Sequence, residues 1–251
     1  MEKSLDIIMD IGEQMLLSGA EISRIEESTR RLGEAFGAVR TDPFIITSNM
    51  EVSIHDSKGI SYTQSRRVPN IGTDIEKLHR LNDLIRKICV GALSHEEIEK
   101  ELKKIKKTKS YPFYVAVLAY GLIAGAFAVF FGGGVAESVC ATLVGMVLAL
   151  VVKATEIGSL NKIFAKFFCS FTATLLAFVC LRLGIVDKVD HIIIGNIMLI
   201  IPGVGLTVAL RDLFVGDNLS GALRSIEVVL FAIAIAGGYF LSAGIMGGIA
   251  L

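Results

Sequence analysis

Five apolar runs in the C-terminal half of the chain constrain its fold more than any other feature. Charge-free stretches cover 110–136, 138–152, 167–181, 191–210 and 228–251. A helix needs roughly 20 residues to cross the hydrocarbon core of a bilayer, and about 17 is the lower limit. The two shorter runs must therefore extend past a charged residue, with Lys166 or Arg182 reaching outward. We predict membrane-spanning helices at about 114–132, 135–153, 165–185, 191–210 and 224–246.

Charged residues are concentrated in the N-terminal part of the chain. Residues 1–110 contain 18 of the 25 Lys and Arg residues and 18 of the 25 Asp and Glu residues. This distribution predicts a polar domain over 1–110 and a transmembrane domain over 111–251. Neither part has a net charge, so nothing favours nucleic acid as a partner.

Basic residues set the predicted orientation of the spans. Five lysines between positions 103 and 109 stand just before the first span, and the positive-inside rule keeps that end in the cytoplasm. The later loops predicted to be cytoplasmic carry Lys153, Lys162, Arg211 and Arg224. The opening residues lack the apolar core of a secretory signal. We therefore predict a multi-pass protein with a cytoplasmic N-terminus and an external C-terminus.

The polar domain has a mixed pattern of helix and strand. Apolar residues at helical spacing predict a first helix, an amphipathic helix over 19–36, and helices over 74–90 and 95–107. Alternating residues at 50–55, a DSKG turn at 56–59 and a second extended stretch at 60–63 predict a β-hairpin, and thus a small α+β domain. Capping boxes, in which a hydroxyl residue and a glutamate three positions later satisfy each other's backbone donors, are predicted at Ser18 with Glu21, Thr73 with Glu76 and Ser94 with Glu97.

One charged motif in this domain, GAEISRIEES, invites an enzymatic interpretation. Its Glu21, Arg24, Glu26 and Glu27 could carry acid–base chemistry, or could form ordinary pairs along a helix. We favour the pairs and expect no enzyme. The histidines are far apart, and there is no HExxH motif or glycine-rich phosphate loop, so we expect no metal and no cofactor. The four cysteines lack CxxC spacing and are interpreted as packing residues.

The fourth predicted span contains a proline. Pro202 lies about eleven residues into the span, which at 1.5 Å per residue is roughly 16 Å and close to the centre of a core about 30 Å thick. Proline removes a helix hydrogen bond, and Gly203 and Gly205 allow the backbone to bend. A second half-helix from Gly203 would offer free N–H groups to a carboxylate. The alternative is a plain proline kink whose freed groups are satisfied by neighbouring helices.

Polar residues around Pro202 favour a transport path over a kink. Asn196, Thr207 and Asp212 fall near one face of the span. Asp212 stands near a helix C-terminus, where the dipole disfavours its charge, so it needs a partner such as Arg211 or Arg224, or else a proton.

Three further carboxylates lie in or beside the apolar runs. Asp217 is interpreted as the N-cap of the fifth span. Glu137 and Glu227 are candidates for proton coupling, or for structural pairing with a basic group.

The motifs together are similar to the threonine/serine exporter (ThrE) family. The resemblance rests on IPGVGLTVALRDLFVGDNLSG at Ile201–Gly221, GAEISRIEES at Gly19–Ser28 and FGGG at Phe131–Gly134, and covers essentially the whole chain. It implies an integral membrane α-helical protein of five transmembrane helices, the fourth broken at Pro202, with an N-terminal cytoplasmic α+β domain. The chain departs from the family pattern at Gly205 and Val208, where proline and asparagine are common.

The resemblance also implies a function, a compartment and partners. The chain corresponds to the N-terminal half of the fused exporters and to the larger, YjjP-like subunit of the split form, whose smaller YjjB-like partner would bring the other spans. The implied activity is export of threonine and serine, or of a dicarboxylate such as succinate, across a prokaryotic inner membrane. An odd number of spans cannot form a two-fold inverted repeat, which favours a second chain or a homo-oligomer in the lipid bilayer. Two other hypotheses are a membrane-anchored interaction or regulatory protein, and a tethered hydrolase using Glu26 and Glu27.

Overall fold

The computed structural model describes residues 1–68, 72–108 and 111–246. Within these residues the chain is mostly helical, with one small sheet. In chain order the elements are α1 (Glu2–Leu17), α2 (Ile22–Ala35), β1 (Arg40–Ile46), β2 (Asn49–His55), β3 (Ser61–Arg67), α3 (Ile75–Cys89), α4 (His95–Lys106), α5 (Phe113–Phe130), α6 (Val135–Ile157), α7 (Lys162–Arg182), α8 (Asp190–Ile200), α9 (Gly203–Val215) and α10 (Asn218–Ile245).

The chain divides into two compact units that are not contiguous in sequence. The first unit combines Met1–Lys109 with Leu206–Ser225, and the second combines Ser110–Gly205 with Ile226–Leu251. Most of α9 and the start of α10 thus belong to the same unit as the polar N-terminal residues. The predicted domain boundary at residue 110 lies outside the described residues and stays a prediction.

One glycine sets the boundary between α1 and α2. Gly19 has φ of +84°, which ends α1, and the Ala20 N–H donates to the Met15 carbonyl as in a C-terminal cap. Ser18 therefore caps the end of α1, and α2 begins at Ile22 with Glu21 at its N-cap position and no side-chain cap. The predicted capping box of Ser18 with Glu21 is wrong because the chain turns at Gly19.

The other two predicted helix starts have different outcomes. Asp74 caps α3 by accepting a hydrogen bond from the Lys77 N–H at 2.9 Å, so the box predicted at Thr73 is wrong by one residue. A carboxylate at the N-cap also complements the helix dipole. The box of Ser94 with Glu97 at the start of α4 is confirmed, with both reciprocal hydrogen bonds formed.

The sheet has three antiparallel strands in the order β1–β2–β3. The predicted hairpin corresponds to β2 and β3, while β1 was not predicted. Pro43 stands opposite Val52 in β1, where an edge position tolerates the missing N–H. The central strand β2 buries Met50, Val52 and Ile54 in the same core as the apolar side of α1.

An ionic cluster joins three elements of the first unit. Arg66 of β3 contacts Asp10 at 2.6 Å and Glu13 at 2.7 Å, and Lys106 of α4 contacts Asp10 at 2.6 Å. Partial burial disfavours the charged form of Asp10, but the hydrogen bonds from Lys106 and Arg66 together outweigh it and hold the pKa of this carboxyl below its usual range. The cluster therefore stabilises the fold above the ordinary pKa of Asp and loses this contribution as the pH falls through the lowered value.

Among the described residues, four helices are long and apolar enough to cross a membrane, or up to five if α8 and α9 form one span. The four are α5, α6, α7 and α10. At most 33% of the residues in the most apolar window of each are buried. Their exposed side chains are mainly large hydrophobic ones, as expected of helices surrounded by lipid.

Small residues bring these helices together. A Cβ atom on Gly195 of α8 would lie 2.6 Å from the Ala124 carbonyl of α5, and one on Gly145 of α6 would lie 2.7 Å from the Tyr120 carbonyl of α5. Such close approach is typical of membrane helices, whose association depends on packing because lipid is as apolar as the side chains. Helix α8 is thereby held against its neighbours.

Two adjacent glycines of α10 provide a matched test of this packing. A methyl group on Gly238 would clash with the Phe167 carbonyl and the Phe171 N–H of α7, whereas one on Gly237 would make ordinary contact with the Phe167 ring at 3.5 Å. We expect Gly238→Ala to destabilise the protein by about 1–3 kcal/mol through overpacking. Gly237→Ala should leave the thermal midpoint in detergent nearly unchanged, and equal midpoints for the two variants would contradict close packing at Gly238.

Candidate functional site

The helical hydrogen-bond ladder is interrupted between α8 and α9. Helix α8 ends at Ile200, Ile201 has an extended backbone, and α9 begins at Gly203. The two helix axes differ by 53°. Pro202, between the two helices, has no N–H to donate.

A lysine satisfies the backbone freed at this interruption. The Lys166 ammonium donates to the Ile200 carbonyl at 2.7 Å and lies 6.0 Å from the centre of the Phe231 ring. A cation at this position also complements the C-terminal dipole of α8. Lys166 therefore turns toward α8 and does not reach outward as expected. It is the fifth residue of α7, so the interruption lies beside the first turns of that helix.

Asn196 is fully buried within the second unit. Its amide nitrogen donates to the Ile192 carbonyl at 2.9 Å and to the Ala141 carbonyl of α6 at 3.3 Å. Its amide oxygen has no hydrogen-bond partner among the described residues. Asn196 thus joins α8 to α6 and retains one free acceptor. Of the other predicted residues, Pro202 and Gly205 are half-buried, and Gly203 and Thr207 are exposed.

A buried ion pair lies between α9 and α10 in the first unit. Asp212 is 1% exposed and Arg224 is 8% exposed. Asp212 Oδ2 and Arg224 Nε are 3.3 Å apart, but neither atom has a hydrogen bond of normal geometry. Of the two arginines expected as partners of Asp212, the structure places Arg224 beside it. Removing one member of such a pair leaves an uncompensated buried charge.

The same two helices contact the loop between α1 and α2. Arg224 Nη2 donates to the Ala20 carbonyl at 3.3 Å, and Arg211 forms an ion pair with Glu21 at 2.9 Å. Glu21 belongs to the GAEISRIEES motif, so the structure brings that motif to the RD sequence of α9. Sequence reasoning did not predict this contact, and no local pattern could have indicated it.

The other charged members of the GAEISRIEES motif lie on α2. Glu26 pairs with Arg30 one turn along α2 at 3.0 Å, and Arg24 and Glu27 are exposed. Only the Glu26–Arg30 contact is an ordinary pair along a helix among the contacts described for this motif. Among the described residues there is no cluster of three His, Cys, Asp or Glu side chains that could hold a metal ion.

The two candidates for proton coupling lie outside this arrangement. Glu137 stands in the first turn of α6, and its carboxylate folds back over Gly134, where a Cβ atom would be 2.8 Å from it. An acidic residue there is favoured by the helix dipole. Glu227 is exposed on α10. The Asp217 carbonyl accepts a hydrogen bond from the Gly221 N–H at 2.9 Å, which places Asp217 at the start of α10.

The sequence profile of the family described as "Putative threonine/serine exporter" matches residues 6–246. The chain belongs to this exporter family. It is 27% identical over 241 residues to the "Threonine/serine exporter" of Corynebacterium glutamicum, covering 93% of this chain and 49% of that protein. It is 25% identical over 211 residues to the "Probable succinate transporter subunit YjjP" of Klebsiella aerogenes, covering 84% of this chain and 81% of that protein.

Family membership and the apolar helices together identify a multi-pass membrane protein. The chain spans about half the length of the Corynebacterium exporter. No solved structure shows significant similarity to this chain.

Proposed function

We propose that the chain is a subunit of an inner-membrane exporter for a small metabolite that carries a carboxylate. The observation that supports this most is the interruption between α8 and α9, where Lys166 and the start of a second helix lie together. Broken helices in transporters present half-helix N-termini to anionic groups of the substrate. A protein that only anchored a cytoplasmic domain would not need an interrupted span.

The proposed path combines the interruption with the polar groups around it. The N–H groups at the start of α9 and the Lys166 ammonium are both positive, and so favour a substrate carboxylate. Asn196 supplies a free acceptor oxygen on α8, and Gly203, Gly205 and Thr207 supply the first turns of α9. We assign Arg211 and Asp212 to the end of the path nearest the N-terminal residues.

The solutes named for the relatives all suit this arrangement. Threonine, serine and succinate share a carboxylate. An amino acid also needs an acceptor for its ammonium, for which Asp212 and Glu227 are the candidates. A dicarboxylate needs a second cation, for which Arg211 and Arg224 are the candidates. Glu137 and Glu227 remain proposed sites of proton coupling, and Glu21, Arg24, Glu26 and Glu27 a proposed regulatory motif.

The division into units supports the proposed topology. Residues 211–223, between the fourth and fifth spans, belong to the same compact unit as the N-terminal residues, and we propose that both lie on one side of the membrane. The positive-inside rule makes that side cytoplasmic. A smaller membrane subunit is proposed to supply the remaining spans, since the chain covers 49% of the Corynebacterium exporter and 81% of a relative named as a subunit.

Counterflow in liposomes tests the proposed function. Vesicles loaded with unlabelled solute receive labelled threonine, serine or succinate outside, with this chain alone and with a small membrane subunit of the same family. We expect accumulation of one label, and accumulation only with the second subunit would support a two-chain exporter. Folded, inserted protein that moves none of the labels under either condition would favour a membrane-anchored interaction protein.

A further inference from the structure

The loop between α1 and α2, residues 18–21, is held firmly by the rest of the N-terminal polypeptide. Gly72 donates to the Leu17 carbonyl at 3.0 Å, and Asp74 donates to the Ser18 carbonyl at 3.1 Å. A Cβ atom on Gly19 would lie 2.6 Å from the Gly72 carbonyl, so glycine is required there for both contact and its positive φ. These contacts fix the position of the loop within the first unit.

Residues 206–225, which we call the α9–α10 corner, contain most of α9, a tight turn and the start of α10. Gly216 has φ of +100° and allows a two-residue turn between the helices. A Cβ atom on Gly221 would lie 2.9 Å from the Leu213 nitrogen, so α9 and α10 are in close backbone contact at the turn. The buried pair of Asp212 and Arg224 lies within the corner and ties its two helices together.

The corner and the loop contact each other through two arginines of different burial. Arg211, with a side chain 61% exposed, pairs with Glu21, which is 20% exposed. Arg224 adds one 3.3 Å hydrogen bond to the neighbouring Ala20 carbonyl. Separation of these two contacts would leave the Asp212–Arg224 pair intact, because both of its members belong to the corner. The pair is also weakened because its arginine is largely exposed, so that water competes for the guanidinium.

We propose that Glu21, Ala20, Arg211 and Arg224 form a releasable latch between the α1–α2 loop and the α9–α10 corner, which positions Asp212 and opens during each transport cycle. This inference rests on the proposed export function. Helix α9 begins at the Pro202 interruption, and a segment with a non-helical residue at one end can pivot there. The latch would thus make transport depend on the N-terminal domain.

A reducible cross-link across the latch tests whether it opens. The double variant Glu21→Cys/Arg211→Cys is made in a chain whose four natural cysteines are replaced, after that background is shown to transport normally. A bifunctional methanethiosulfonate reagent, which spans the length of the two side chains that were replaced, should join the two thiols and lower the initial rate of labelled solute transport at least tenfold, and reduction should restore it. A cross-link that forms and leaves transport unchanged would overturn the opening step.

The same experiment separates failure of the latch from failure of the proposed function. If the unmodified chain moves none of the labels, either alone or with the second subunit, export is refuted, while cross-link formation still reports whether positions 21 and 211 meet. Absence of the cross-link in folded protein, with both thiols shown to react with a monofunctional reagent, would refute the latch even if transport is normal.

Charge reversal provides a second test without a cross-linking reagent. Glu21→Arg and Arg211→Glu alone should each lower the transport rate at least threefold, and the double reversal should restore most of it. The matched control is the exposed pair of Glu76 and Arg80 on α3, 2.6 Å apart, whose reversal should leave transport unchanged. A double reversal no better than the single variants would show that the pair does not act as proposed.

Discussion

Arg224→Met is expected to lower the free energy of unfolding of the full chain by about 3–5 kcal/mol, because it leaves the Asp212 carboxylate buried without a cation. Arg224 is 8% exposed and Asp212 is 1% exposed, so water cannot readily compensate for the loss. The variant also removes the hydrogen bond to the Ala20 carbonyl. Thermal or denaturant unfolding of purified protein in detergent measures the change.

Two further variants distinguish the loss of stability caused by breaking the buried pair from any general loss caused by removing an arginine. Arg211→Met removes an ion pair whose arginine is 61% exposed, and should cost less than about 1 kcal/mol. The double variant Asp212→Asn/Arg224→Met removes both buried charges and should recover much of the stability lost by Arg224→Met. Equal losses for Arg224→Met and Arg211→Met would mean that the Asp212–Arg224 pair is not a buried ion pair in the folded protein.

Lys166→Met is expected to have the second-largest effect, on transport. The variant removes the ammonium that donates to the Ile200 carbonyl at the interruption between α8 and α9. A hydrogen bond to a charged group contributes about 1.5–3 kcal/mol, which corresponds to roughly 10- to 150-fold in rate if the interaction is needed to bind or orient the substrate. Initial rates of counterflow across a range of solute concentrations measure the effect.

Lys166→Arg and Lys153→Met serve as controls for this prediction. Arginine keeps the cation and should retain most of the rate. Lys153 is a half-exposed lysine of α6 that pairs with Glu156 at 3.2 Å, so its replacement should change transport by less than twofold. A normal rate for Lys166→Met would exclude this ammonium from the proposed site.

Sequence patterns identified the apolar helices and the interruption because these depend on local properties. The length of an apolar run decides whether a helix can cross a membrane, and a proline removes a helix hydrogen bond in any context. The Ser94 capping box was predicted for the same reason, since its partners are three residues apart. Patterns erred at Ser18 because a glycine beside it ended the preceding helix, and they missed β1, whose Pro43 obscured the strand.

Such patterns could not predict the contacts within the candidate site. Sequence reasoning did not predict that Lys166 of α7 contacts the Ile200 carbonyl at the interruption. It also left Arg211 and Arg224 as equal candidates to pair with Asp212. Both questions concern residues far apart in the chain, and only packing brings such residues together.

The sequence by itself therefore determined the membrane class, the apolar helices and the family of this protein. The tertiary structure alone decided that Arg224 meets Asp212, that Arg211 meets Glu21, and that Lys166 satisfies the end of α8. The physical reason is the distance along the chain over which each kind of interaction acts. Hydropathy and helix breaking act over a few neighbouring residues, whereas ion pairs and hydrogen bonds form wherever folding places a donor within about 3 Å of an acceptor.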